Sequence, residues 1–324
     1  MKRSGTVMLA AVAFVAICAP WLAPNPPDRR FDDLLYAPPT RVYLFDDGLR
    51  APYIRPWRLV SRLERRFEES RSQPVPLRWF TLDALVSADP EGGAPLLLLG
   101  ADWYGRDIFS RLVHGSRVSL ALAIVSTLGA TLLGALVGLL SGYVGGRLDT
   151  ALSRMSEFFL VLPAIYVTLA LRAVMPLVLP TTVVFLLLTG IFVFLGWPIV
   201  ARGVRAIVLS ERERDYVVAA RALGAGPARL ITRHLLPAAR GYLTTQATLL
   251  LPAFILAEAT MSYIGMGFPD STPTWGTMLQ EAANVALLGD SPWTLAPAAA
   301  IFFVVLAVNL AVPSEGRAPV QLDR

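Results

Sequence analysis

Side chains able to carry bond chemistry are sparse and do not converge. His114 and His234 lie in different polar segments with no ligand spacing around them, and Cys18 is the single cysteine. Neither a metal site nor an internal disulfide follows from such a set. Ser141, in LLSGY, lacks the glycine flanks of a nucleophile elbow, and no histidine lies in an apolar run to act as its base. Lys2 is the single lysine and precedes the first apolar run. A phosphate-binding loop needs a lysine beside its glycines, so the chain holds no such loop. No catalytic residue, metal ligand or bound cofactor is assigned, and the chain is not read as an enzyme.

What remains is charge and shape. Glu157, Arg172 and Glu258 lie in or near apolar runs. An ion at the centre of a bilayer costs about 2.5–3.5 kcal/mol on insertion scales, so each needs water or a partner. Glu157 and Arg172 stand near opposite ends of one run, where snorkelling serves. Glu258 is deeper, and two roles stay open for it: lining a passage or pairing with a partner subunit.

The stretch YVVAARALGAGPARLITRHLLP, residues 216 to 237, is the other candidate. Tyr216, Ala219, Ala220 and Leu223 fall at i, i+3, i+4 and i+7, one face of a helix made shallow by its alanines. Gly224-Ala225-Gly226-Pro227 stops that helix and starts another, glycine taking the left-handed cap and proline the first helical position. Leu230, Ile231, His234 and Leu235 predict the apolar side of the second helix. Leu236-Pro237 leads into the next apolar run, and Arg221 and Arg233 are the candidates for polar contacts. An interfacial helix resting on anionic lipid and a helix docked on another protein both use an apolar face rimmed by arginine.

The elements that position these residues follow from composition. Of 324 residues 55% are hydrophobic and 16% charged, with a mean hydropathy of +0.55. Soluble domains average about 45–50% apolar and about 25% charged. The uncharged residues come in long blocks, which predicts an all-α polytopic membrane bundle. Six spans are read: one within residues 1–24 (about 6–22), then about 118–142, 155–175, 181–201, 242–264 and 293–313. Pro20 and Pro24 after the first run, and Ile17 before Cys18, favour an uncleaved span over a signal peptide. Gly129, Gly134, Gly138 and Gly142 suit close packing in lipid.

The net charge of +5 is carried almost wholly by arginine. Those arginines sit beside the spans, so topology and membrane lipid account for them and nucleic acid is not a predicted partner. Arg147 and Arg154 follow the second span, and eight arginines from Arg202 to Arg240 lie between the fourth and fifth. The segment 265–292 has no basic residue. The positive-inside rule then places the N-terminus, the 147–154 turn, the 203–240 loop and the 314–324 tail in the cytoplasm. The core spans 100–313.

The 25–99 segment is consequently an extracytoplasmic insert. Within RPWRLVSRLERRFEESR, apolar Leu59, Leu63 and Phe67 stand four apart, and Arg65 and Glu69 are placed to pair at i, i+4. This spacing predicts a short amphipathic helix in a small subdomain, serving as a packed cap or as a docking surface for an external partner.

The string YVVAARALGAG…RLITRHLLP resembles the cytoplasmic loop of ABC importer permeases, whose pattern is Glu-Ala-Ala, three residues, Gly, then a distal Leu-Pro. GADWYGRDIFSRLVHGSRVSL, GLLSGYVGGRLD and ILAEATMSYIGMGFPDSTPTWGTML resemble, in order, other segments of the dipeptide/oligopeptide branch. The resemblance covers residues 97–310 and the first span. It implies a permease subunit of an ATP-driven importer for di- or oligopeptides, with nickel chelates and glutathione as other cargoes of the branch. It also implies its partners: a homologous permease, two ATP-binding cassette subunits that use the ATP, and an extracytoplasmic solute-binding protein. Tyr216, Ala219, Ala220, Arg221, Leu223, Gly224, Arg233, Leu236 and Pro237 would couple the spans to the ATPase. The chain departs from the pattern in having Val218 at the motif's glutamate, a long insert, and AVPSEGRAPVQLDR after Asn309-Leu310. An ion-gradient-driven secondary transporter is the alternative. It calls for inverted repeats and broken helices, and no repeat is visible between the halves.

Overall fold

Proline and glycine set most of the helix boundaries in the computed structural model. The structure describes residues 2–311 except 46–48, 63, 71–73, 82–83, 90–93, 175, 177–178 and 284–287. The tail, the end of the last predicted span, Leu63 and Met175 lie outside the described residues, as does the side chain of Arg172. Helix α1 (Lys2–Ile17) is followed by a turn of helix, α2 (Ala19–Leu22), with Pro20 in its first turn. Helices α3 (Ile108–Val144), α4 (Gly146–Val161), α5 (Ala164–Ala173), α6 (Thr181–Glu211), α7 (Asp215–Ala222), α8 (Pro227–Leu230), α9 (Leu236–Tyr263), α10 (Trp275–Ala282) and α11 (Ala296–Ala311) follow.

Among the described residues, four helical stretches are long and apolar enough to cross a membrane: 108–144, 181–211, 227–263 and 292–311. A shorter apolar helix covers Ser4–Ile17. The boundaries differ from hydropathy in instructive ways. At about 1.5 Å per residue, the 37 residues of α3 reach about 55 Å, beyond a bilayer core of about 30 Å. It therefore begins ten residues before the predicted span, at Ile108 rather than 118. The fourth helix likewise continues past residue 201 to Glu211, so most of the predicted 203–240 loop is helical. The third predicted span is broken. Pro163 lacks an N–H and pushes Leu162 into extended backbone (φ −68°, ψ 124°), which separates α4 from α5.

The insert is not the predicted amphipathic helix. Strands β1 (Val42–Phe45), β2 (Leu49–Ile54), β3 (Trp57–Ser61), β4 (Arg66–Glu69), β5 (Val75–Pro76), β6 (Arg78–Trp79) and β7 (Val86–Ser87) form small antiparallel sheets ordered β1-β2-β5, β3-β4 and β6-β7. Leu59 pairs directly with Phe67 across the β3–β4 hairpin, so residues eight apart meet by chain reversal. Arg65, at φ 49°, helps make that reversal and lies over the Tyr36 ring rather than pairing with Glu69. Trp57 and Phe67 pack on a core of Phe31, Leu34, Ala37, Leu97 and Ala101. All-α thus describes the spans, while the insert carries β structure.

The chain divides into two compact units: Met1–Gly5, Leu122–Leu256 and Val308–Arg324, and Thr6–Ala121 with Ala257–Ala307. In the first, α6 packs along a glycine stripe on α3. A methyl group on Gly134 would stand 2.5 Å from Val200 Cβ, one on Gly138 2.6 Å from the Ala201 carbonyl oxygen, and one on Gly142 2.8 Å from Val208 Cβ. Only glycine admits that approach.

Candidate functional site

Helix α7 begins after Arg214 with Asp215 in its first turn and carries Arg221 in its last, charges suited to the ends of a helix dipole. It ends in a full Schellman motif. Gly224 takes φ 85°. Its N–H donates to the Arg221 carbonyl at 3.0 Å, and the Ala225 N–H donates to the Ala220 carbonyl at 3.0 Å. No atom lies within 4 Å of where a Gly224 side chain would start, so backbone conformation alone demands glycine here. Pro227 then opens α8 as its first residue.

The helix re-enters the bundle through a π-helical turn, Ile231–Leu235, directly before Pro237. The Leu236 N–H reaches back five residues to the Ile231 carbonyl. Proline cannot donate to the residue four before it and its ring crowds that carbonyl, so the preceding turn widens.

The elbow has a root and a tip. Val217, Leu230 and Leu235 are fully buried and pack with Leu139, Val200, Val204, Val208 and Ala239, with half-buried Ala220 and Ala225 against them. Leu223 at the tip is 89% exposed, and Tyr216 and Val218 about half. Ala219, Arg221, Gly224 and Arg233 are exposed, while Leu236 and Pro237 are half-buried. Of the predicted shallow face only Ala220 turns inward; Val217 supplies the anchor, and Tyr216, Ala219 and Leu223 are left uncovered. Tyr216 is held by its hydroxyl, which donates to Glu211, and by the His234 ring at 5.8 Å.

Polar bonds brace the root. Arg205 makes a bidentate pair with Asp149, its Nη2 donating to Oδ2 at 2.7 Å and its Nε to Oδ1. The Ser141 hydroxyl donates to the same carboxylate. Arg212 Nη1 donates to the Gly142 carbonyl at 2.9 Å. The ends of α3 and α6 and the start of α4 are therefore one assembly with the elbow's root. Sequence reasoning counted Arg205 and Arg212 only as topology signals. The lone acid of the GGRLD turn, Asp149, was the clue to a partner.

In the second unit Glu258 is fully buried. It accepts from Ser119 Oγ at 2.9 Å and Ser262 Oγ at 2.8 Å, while Ser119 Oγ accepts from the Trp275 N–H at 3.2 Å. The carboxylate ties α9 to α3 and the start of α10 inside its own chain. Two serine hydroxyls close directly on the carboxylate, and the Trp275 N–H fixes one of them.

The same unit holds a cluster that sequence reasoning missed. Arg106 Nε donates to Asp102 Oδ2 at 2.6 Å, its Nη1 to Asp270 Oδ2 at 2.8 Å and its Nη2 to Asp270 Oδ1 at 3.2 Å. Glu281 Oε1 stands 3.6 Å from Nη2. Arg111 Nη2 donates to the Asp270 carbonyl at 3.0 Å, and its Nε and Nη1 have no hydrogen-bond partner among the described residues. Gly105, at φ 73°, lets the chain pass so close to Phe31 that a methyl group would stand 2.1 Å from its carbonyl oxygen. The cluster clamps the 264–274 segment and α10 against the start of α3.

Residues 134–314 match the family described as binding-protein-dependent transport system inner membrane component. The chain is 31% identical over 307 residues, 94% of its length and 83% of the relative's, to the "Di/tripeptide transport system permease protein DppC" of Pseudomonas aeruginosa. It is 32% identical over 209 residues, 64% of its length and 69% of the relative's, to the "Oligopeptide transport system permease protein OppC" of Lactococcus lactis. A solved structure titled "Inward facing conformations of the MetNI methionine ABC transporter" superposes with a TM-score of 0.50 at 20% identity. The match covers 62% of this chain and 92% of that one, a likeness of fold.

Proposed function

Because the chain belongs to the family of binding-protein-dependent transport system inner membrane components, we propose that it is the permease subunit of an ATP-driven importer of di- or oligopeptides. In this reading the chain crosses the inner membrane six times with both termini cytoplasmic. It forms the passage with a homologous permease, receives cargo from an extracytoplasmic solute-binding protein and rests on two ATP-binding cassette subunits. ATP is bound and hydrolysed there, not by this chain.

One observation carries the reading: an apolar tip, Leu223, 89% exposed on a helix whose opposite side is sealed into the bundle. A helix lying on lipid would be free to roll; this one is rooted through Val217, Leu230 and Leu235. A push on Leu223 passes to Val217, then to Val204 and Val208 of α6, and through the glycine stripe to α3. The bidentate Arg205–Asp149 pair carries the same displacement to α4. Val218 stands half-exposed beside the tip, so the partner meets a valine where the family pattern has a carboxylate.

The test is reconstitution of the co-purified complex in vesicles supplied with ATP and no ion gradient. Peptide uptake is expected, and Leu223→Asp is expected to cut it at least about tenfold, as an interface residue worth more than about 1.4 kcal/mol does, while the subunit stays in the membrane. Uptake that ignores ATP and follows an imposed proton or sodium gradient would replace this reading with a secondary transporter.

A further inference from the structure

We propose that Asp102, Arg106, Arg111, Asp270 and Glu281 form a proton-locked clamp: Glu281 sits in it as the neutral acid and gives up that proton when the 264–282 segment lifts from the start of α3. The argument begins with a count of charges. Two guanidiniums face three carboxylates, and the side chains of Asp102, Arg106, Arg111 and Glu281 are 1–11% exposed, with Asp270 at 37%. A buried excess charge is relieved most cheaply by neutralising one group.

Geometry selects which group. Asp102 accepts from the N–H groups of Tyr104 and Arg106 and from Arg106 Nε. Asp270 is chelated by both terminal nitrogens of Arg106 and is the most hydrated of the three. Glu281 accepts from the Trp103 N–H and reaches a guanidinium only at 3.6 Å, from Arg106 Nη2, so of the three carboxylates it has the weakest hold on a cation and the proton belongs there. Burial first, and then the nearby Asp102, push its pKa up to about 8, with Arg106 and Arg111 pulling the other way. Among the described residues Tyr36 also faces it, its own pKa raised by burial and by Glu281. The turn Pro292–Leu295, which packs on α10, brings Thr294 and no charge.

The clamped segment can hinge. Just past α9, Gly265 takes φ 78°, with no described atom within 4 Å of where a side chain would start. The pKa of Glu281 in the closed clamp lies above the 4.5 of a hydrated glutamate. Glu281's contribution to the clamp is therefore fully present below about pH 4.5 and lost as pH rises to about 8. Opening releases one proton within that window, which makes it about tenfold easier for each pH unit.

Infrared difference spectroscopy on the full chain in lipid nanodiscs tests the proton directly. Subtracting Glu281→Gln from wild type at neutral pH should leave the carbonyl band of a protonated carboxylic acid, and that band should titrate away near pH 8. Hydrogen exchange of residues 270–282, referenced to α3 amides, should rise between about pH 6 and about pH 8 in wild type and stay flat in Glu281→Gln. Asp270→Asn lowers the count to two carboxylates against two guanidiniums, so Glu281 should ionise at neutral pH and the acid band should vanish. This variant also carries the test if Glu281→Gln does not insert. An absent acid band in wild type, a band retained in Asp270→Asn, or an undiminished pH response in Glu281→Gln overturns the clamp. None of these readouts depends on which cargo is carried.

Discussion

Two helices of this chain end in the same backbone device and put it to opposite uses. After α7, Gly224 at φ 85° closes a Schellman motif; after α9, Gly265 at φ 78° does the same, its N–H donating to Ser262 and the Met266 N–H to Met261. Neither glycine is crowded. Past Gly224 the chain re-enters a helix within three residues and leaves an apolar tip bare. Past Gly265 it is led into a clamp of five charges and sealed. The first arrangement suits a surface that another protein must grip. The second suits a surface that must stay put until a specific interaction is undone. What separates them is the chemistry loaded on either side of the turn.

The largest test of that contrast is Arg106→Ala. Removing it strands buried Asp102 and leaves Asp270 without its chelating guanidinium, and breaking such a set typically costs about 3–5 kcal/mol. A sharp fall in the thermal midpoint of the purified chain is expected, and an unchanged midpoint would mean that the clamp bears no load.

A matched pair comes next. Isoleucine at Gly224 or at Gly265 meets the same strain, about 1–2 kcal/mol for a left-handed residue and more for a β-branched one. The two variants should lose comparable stability. Gly224→Ile should abolish coupling of ATP hydrolysis to uptake in an inserted subunit, whereas Gly265→Ile should speed hydrogen exchange at 270–282. Normal uptake by Gly224→Ile sinks the role of the elbow.

Smallest is Val218→Glu. At a half-exposed site the change in stability should stay within about 0.5 kcal/mol. The readout is recovery of partner subunits on co-purification under rising salt. If a cation on the partner still faces this position, the variant holds its partners to higher salt than wild type.

Hydropathy located the long helices because lipid demands long uncharged runs, and the motif located the elbow because glycine and proline punctuate it. The side chains that anchor it were less legible. Val217, between Tyr216 and the equally apolar Val218, does not announce that it faces inward. The β3–β4 hairpin was misread for a definite reason. A four-residue spacing of apolar groups fits a helix, but Leu59 and Phe67 are also the right distance apart to oppose each other around a tight reversal, and the core under Trp57 decides between the two. The clamp was invisible to any local pattern, since Arg106 and Asp270 are 164 residues apart. Glu258 stood out as a charge that needs company, though not as one that finds it in Ser119, 139 residues away.

The π-helical turn at Ile231–Leu235 has a consequence for the phase of everything beyond it. It accommodates one residue more than the α spacing, and each residue turns a helix by about 100°. Deleting a single residue there would leave the elbow's sequence almost intact while swinging Phe254 off the Phe192 ring, which it now stacks at 5.3 Å and 4°. A one-residue surplus thus sets which stripe of the fifth predicted span looks inward.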